Sequence, residues 1–144
     1  MPTPIVNSAT TVWKGDLPTG SGTVNLDTSG AGSFQANWKA RSEESGSSTT
    51  PEELIAAAYA TCFSMQFSHE LSENGTAPTQ LQTNAKVTFA VGSGITKIDL
   101  AVEGQVDGLS EDDFRRIAES AKKNCPVSQA LASVPEINLD AKLA

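Results

Sequence analysis

Residues 54–67, Leu-Ile-Ala-Ala-Ala-Tyr-Ala-Thr-Cys-Phe-Ser-Met-Gln-Phe, carry no charge on any side, and no other stretch constrains the fold as much. Directly before them stands Thr50-Pro51-Glu52-Glu53. That run combines a hydroxyl at the N-cap, proline at the first helical position and glutamate three residues after the cap. The pattern predicts a helix from Pro51 to about Leu71 that ends near Asn74-Gly75. A helix on a protein surface keeps a polar face, so one without charge reads as a helix surrounded by protein. Cys62 falls in its middle.

Three short stretches with strand character precede this helix, at 10–13, 23–26 and 33–38, separated by Gly-rich turns. They predict a three-stranded meander, with residues 42–50 as a polar loop. After the helix, Leu81, Thr83, Ala85, Val87, Phe89 and Val91 alternate with polar residues, and Ile98, Leu100 and Val102 repeat the pattern. Gly92-Ser93-Gly94 between the two runs predicts a hairpin. Ser110 and Asp113 form a second capping box, and the stripe Phe114, Ile117, Ala118, Ala121 leads to Cys125, where Pro126 interrupts it. A short helical turn over 127–131 and a strand from Ile137 to Leu143 complete the chain. The order βββ-α-ββ-α-(α)-β predicts an α+β fold with antiparallel sheets. A length of 144 residues predicts one domain over 1–144, with the meander at about 1–41 and the helix-containing remainder at about 50–144.

Ten Lys and Arg against 17 Asp and Glu give a net charge of −7, and the cations are scattered. That leaves no electrostatic footprint for nucleic acid or an anionic membrane. The start Met-Pro-Thr-Pro-Ile-Val-Asn-Ser lacks the basic-then-apolar order of a secretory signal, and no 18-residue apolar run occurs. A soluble, cytoplasmic protein is expected. The chain has no room for a separate cofactor domain, and two Cys with one His are too few for a four-ligand zinc site. No cofactor is expected.

In a reducing compartment the two cysteines are either inert core thiols or a working redox pair. A thiol attacks only after losing its proton, and apolar surroundings resist that loss. Cys62, among Ala58, Tyr59, Phe63 and Met65, therefore needs a cation. No Lys or Arg occurs between Arg41 and Lys86, which leaves Arg41 and His69 as the candidates nearby in sequence. His69 lies seven residues on, roughly 10 Å along the axis, too far to bond the sulfur. A guanidinium in an apolar site needs a partner, and Glu52 on the first helical turn is available. Glu52 and Cys62 stand roughly 15 Å apart along one helix, so a compact site would take them from different chains.

The runs Thr-Pro-Glu-Glu-Leu-Ile-Ala-Ala-Ala-Tyr-Ala-Thr-Cys-Phe-Ser-Met at 50–65 and Asn-Cys-Pro-Val-Ser-Gln-Ala-Leu at 124–131 closely resemble the two signature stretches of the OsmC/Ohr family of thiol-dependent hydroperoxide reductases. The resemblance extends from Trp13 through the final strand and is nearer the OsmC branch. It implies an intertwined homodimer with antiparallel sheets wrapped around long central helices. It further implies that Cys62 is the peroxidatic thiol, Cys125 the resolving thiol, Arg41 the cation on the thiolate and Glu52 its carboxylate partner. The implied reaction reduces an organic hydroperoxide to an alcohol through a Cys62 sulfenic acid and a Cys62–Cys125 disulfide, which a dithiol, such as a lipoylated protein, reopens. Tyr59, Phe63, Met65 and Phe67 read as core first and substrate lining second; their apolar character would favour organic peroxides. A small-ligand binder without turnover and a thiol redox sensor of the same fold are the alternatives.

Overall fold

Antiparallel pairing organises the start of the chain in the computed structural model, which describes residues 2–44 and 46–144. Strands β1 (Ala9–Lys14), β2 (Ser21–Leu26) and β3 (Ser33–Ala36) form a sheet in that order, as the meander reading expects. The chain can reverse after β1 because Gly15 adopts φ 95°, where a side chain would be strained. The third strand is shorter than the 33–38 reading. Asn37 accepts a hydrogen bond from the Ala40 N–H at 2.8 Å and caps a short helix, α1 (Trp38–Ser42). Trp38 thus opens a helix instead of ending the third strand, and Arg41 stands on the last turn of that helix. Ser45, inside the loop read over 42–50, lies outside the described residues, as does Met1.

By internal contacts the chain divides into two compact units, Met1–Pro51 and Glu52–Ala144. The second unit carries α2 (Pro51–Glu73), β4 (Gln80–Ala90), β5 (Gly94–Gln105), α3 (Glu111–Asn124), α4 (Pro126–Ala130) and β6 (Glu136–Leu143). Its sheet has the order β4-β5-β6. β4 and β5 pair antiparallel from Gln80 opposite Gln105 to Ala90 opposite Gly94, the expected hairpin. β6 runs parallel to β5, so this sheet is mixed and the all-antiparallel expectation is corrected. Parallel neighbours need a long crossover, and α3 with α4 supplies it.

α3 also covers the outer edge of β6. Lys122 Nζ donates to the Ile137 carbonyl at 2.8 Å, Arg115 Nε to that of Ala141 at 3.4 Å, and a Glu111 carboxylate oxygen accepts from the Leu143 N–H at 3.1 Å. These contacts blunt an edge that could otherwise pair with another strand. The helix itself begins where Ser110 accepts from the Asp113 N–H at 3.2 Å, the predicted cap.

The core of the second unit lies between α2, the sheet and α3. Tyr59, Phe63, Phe67 and Leu71 recur every four residues on α2, all fully buried, and meet Ile98, Leu100 and Val102 of β5 and Phe114, Ile117, Ala118 and Ala121 of α3. Phe67 packs edge-on against Phe114 with centroids 5.0 Å apart. Although α2 is uncharged all round from 54 to 67, the single chain encloses only this stripe; Met65 on another side is 69% exposed. Among the described residues no helix is long and apolar enough to cross a membrane.

Gly104 on β5 is where the core tolerates least. A Cβ there would stand 2.6 Å from Phe114 Cε1 and 2.7 Å from Cζ, and Phe114 is fully enclosed and cannot swing aside. Gly104→Ala is expected to destabilise the fold by about 1–3 kcal/mol through overpacking. Urea unfolding checks this; an unchanged midpoint would show that the core yields more easily than its packing implies.

Candidate active site

The break between α3 and α4 brings the two cysteines together. Cys125 is the C-cap of α3, with its N–H bonded to the Ala121 carbonyl at 2.8 Å, and at the same time the N-cap of α4. Pro126 follows at the first position of α4, where its missing N–H is not needed. The apolar stripe of α3 turns Cys125 inward until it is fully buried. Cys62, half-buried on α2, faces it.

Both thiols are free, and their sulfurs share a hydrogen bond at 3.0 Å. A disulfide needs about 2.0 Å between sulfurs, so small shifts of the two side chains cover the remaining distance. Burial pushes the Cys62 thiol above its ordinary value, and the bond to Cys125 acts in the same direction because the pair holds a proton between its sulfurs. The Val127 backbone N–H, on the first turn of α4, opposes both by donating to the Cys62 sulfur. The Cys62 thiol therefore resists ionisation within these surroundings, and forming its thiolate calls for positive charge.

Tyr59, one helical turn before Cys62, is fully buried and shares a hydrogen bond with the Ser128 hydroxyl on α4. Burial raises its phenol above the ordinary value, so it stays protonated at neutral pH. The other predicted lining residues separate: Phe63 and Phe67 are enclosed in the core, while Met65 borders a groove of about 580 Å³ with Ser64, His69 and Leu81. Tyr59 forms part of a second groove, of about 750 Å³, with Ser120, Lys122, Ser128 and Ile137. His69 is exposed. Arg41 is half-buried on the last turn of α1 in the first unit; Glu52, only 6% exposed, heads the second.

Several polar residues around the cysteines escape sequence reading. Val127 and Ser128 act through a backbone N–H and a hydroxyl, neither of which marks itself by type. Glu70 on α2 accepts from Ser120 Oγ, from Gln66 Nε2 at 2.8 Å and from Asn124 Nδ2 at 3.4 Å. Burial alone would raise the Glu70 carboxyl, but these hydrogen bonds outweigh it and hold the group below its ordinary value. The available signal is a glutamate close to a helix stretch otherwise free of charge.

The sequence profile of the OsmC family, described as OsmC-like protein, matches residues 44–140. The chain belongs to the OsmC family. Among OsmC relatives, it is 42% identical over 135 residues to the peroxiredoxin OsmC of Escherichia coli strain K12, a match that covers 91% of this chain and 92% of that protein. It is 26% identical over 100 residues to organic hydroperoxide resistance protein-like 2 of Staphylococcus epidermidis, covering 67% of this chain and 70% of the relative. The higher identity places it nearer the OsmC than the Ohr branch. Its fold is similar to the crystal structure of an OsmC-like protein from Mycoplasma pneumoniae, with a TM-score of 0.74, 18% identity and 99% of each chain covered.

Proposed function

We propose that this chain is a thiol-dependent peroxidase that reduces organic hydroperoxides to alcohols, with Cys62 as the attacking thiol and Cys125 as the resolving thiol. The observation that carries the reading is the 3.0 Å approach of the two free thiols, one half-buried and one enclosed at a helix junction. Family membership and 42% identity to a peroxiredoxin support the enzyme class.

The Cys62 thiolate attacks the distal peroxide oxygen; the O–O bond breaks, the alkoxide takes a proton and leaves as the alcohol, and the sulfur becomes a sulfenic acid. Cys125 then attacks that sulfur. The S–S bond forms, the S–O bond breaks, and hydroxide leaves with the Cys125 proton as water. An external dithiol, such as a lipoyl group carried on a protein, reduces the disulfide by exchange. Arg41, oriented by Glu52, supplies the positive charge that ionises Cys62. The aromatic ring of Tyr59, which lines a groove one helical turn before Cys62 and is backed by the enclosed Phe63, favours an organic peroxide over hydrogen peroxide. A cycle that ends on a dithiol suits the reducing cytoplasm.

A homodimer fits the same picture. The uncharged sides of α2 that the protomer leaves open, with Met65 among them, are the surface a second copy would enclose, and Glu52 and Cys62 of one helix are too far apart to serve one site.

The test supplies excess dithiol and compares cumene and tert-butyl hydroperoxide with hydrogen peroxide. Consumption is expected to be at least about tenfold faster for the organic peroxides. In the same assay, Arg41→Ala is expected to shift the rise of activity and of Cys62 alkylation to higher pH. The sign follows from burial, which already raises Cys62: without a cation, its thiolate forms only at still more alkaline pH. Consumption no faster than a protein-free blank would leave a binding protein or thiol sensor in place of the enzyme.

A further inference from the structure

Cys125 is bracketed by two polar contacts, and both are anchored on the helix that carries Cys62. One residue before it, Asn124 reaches Glu70 on α2, and Ser120, a helical turn earlier on α3, donates to the same carboxylate. Three residues after it, Ser128 on α4 is bonded to Tyr59 on α2. Tyr59, Cys62, Gln66 and Glu70 succeed one another at three- and four-residue spacing, so they share one side of α2. The helix junction is therefore held from upstream and downstream at once, with the reacting sulfurs between the two anchors.

We propose that Glu70 is a positioning residue for the resolving step: it clamps the end of α3 to α2, so that the Cys125 sulfur stays within reach of Cys62. Glu70 does not touch the reacting atoms. It lies eight residues beyond Cys62, roughly 12 Å along the helix, and acts through Ser120 and Asn124. Its carboxylate accepts three hydrogen bonds, from Ser120, Asn124 and Gln66, and the Gln66 bond at 2.8 Å fixes the acceptor on its own helix. Such charge-assisted bonds are the strong ones. The step it serves is the attack of Cys125 on the Cys62 sulfenic acid, in which the S–S bond forms and water leaves. The peroxide step uses the Cys62 thiolate with its cation and involves no attack by Cys125.

This inference rests on the peroxidase reading, and rapid-quench measurement of the two steps separates them. In Glu70→Ala, consumption of the first equivalent of organic hydroperoxide is expected within about twofold of wild type. Disulfide closure, followed by mass spectrometry, is expected to slow by about tenfold or more, the loss that a charged hydrogen-bond anchor implies. Sulfenic acid should then accumulate and be trapped by dimedone. Glu70→Gln, which keeps a carbonyl acceptor for Ser120, should recover part of the closure rate. A purely structural role would slow both steps together or neither, and either result overturns the proposal. If Glu70→Ala does not fold, Ser120→Ala decides, and closure at the wild-type rate in that variant refutes the clamp. If the wild-type chain closes no disulfide, the peroxidase cycle fails first and the clamp fails with it.

Discussion

Replacing Cys62 by serine is expected to lower peroxide turnover by at least about a thousandfold, the scale seen when an essential nucleophile is removed. Serine keeps the size of the side chain and can still bond Cys125, so the packing of α2 against α3 should survive. What is lost is the sulfur. A hydroxyl in the same place ionises far less readily than a thiol and cannot form the sulfenic acid on which the cycle runs. Cys125 cannot substitute for it, because it is fully buried while Cys62 is half-open. Following cumene hydroperoxide loss with excess dithiol, alongside a circular dichroism spectrum, separates lost chemistry from lost structure. Activity within tenfold of wild type in a folded Cys62→Ser variant would mean that another group attacks the peroxide.

Cys125→Ser has a different signature. The first equivalent of peroxide per chain should disappear at nearly the wild-type rate, since Cys62 remains. Turnover should then fall by at least about a hundredfold, because an intramolecular partner held at the reacting sulfur is replaced by an external thiol that must diffuse in. Dimedone should trap Cys62 as the sulfenic acid, and prolonged exposure to peroxide should carry the unresolved sulfur on to irreversible oxidation states. Continued fast cycling would remove Cys125 from the resolving role, whatever its distance from Cys62. The two variants thus divide the cycle at its midpoint.

Much of the fold is legible in the sequence because it is local. The Thr-Pro-Glu-Glu start and the run from 54 to 67 announce α2, which ends at Glu73, close to the expected Asn74-Gly75. The alternation after residue 80 announces the hairpin. What is not legible depends on distance or brevity. The five residues of α1 are too few for a period to register, although Asn37 is a good cap. The parallel pairing of β6 with β5 joins Lys97 to Glu136 and Gly104 to Leu143, a choice of neighbour that no short pattern encodes. The same holds for the site. Cys62 and Cys125 draw notice as the two thiols of the chain, but their 3.0 Å approach depends on how α3 folds back. Glu70 and Ser120 are 50 positions apart, and Tyr59 and Ser128 are 69 apart, so neither pairing has a local signal. α2 is also read only in part, because an uncharged helix does not say how many chains are needed to enclose it.

Since β6 returns parallel to β5, residues 106–135 have to travel back along the sheet, and α3 with α4 is the route. A residue inserted between Asn124 and Val127 would rotate one helix against the other and carry Cys125 away from Cys62. The tip at Gly92–Gly94 only closes a hairpin and has no such duty. For anyone adding a tag, a loop or a reporter, the hairpin tip is the place to lengthen this chain, and the junction beside Cys125 is the place to leave at its present length.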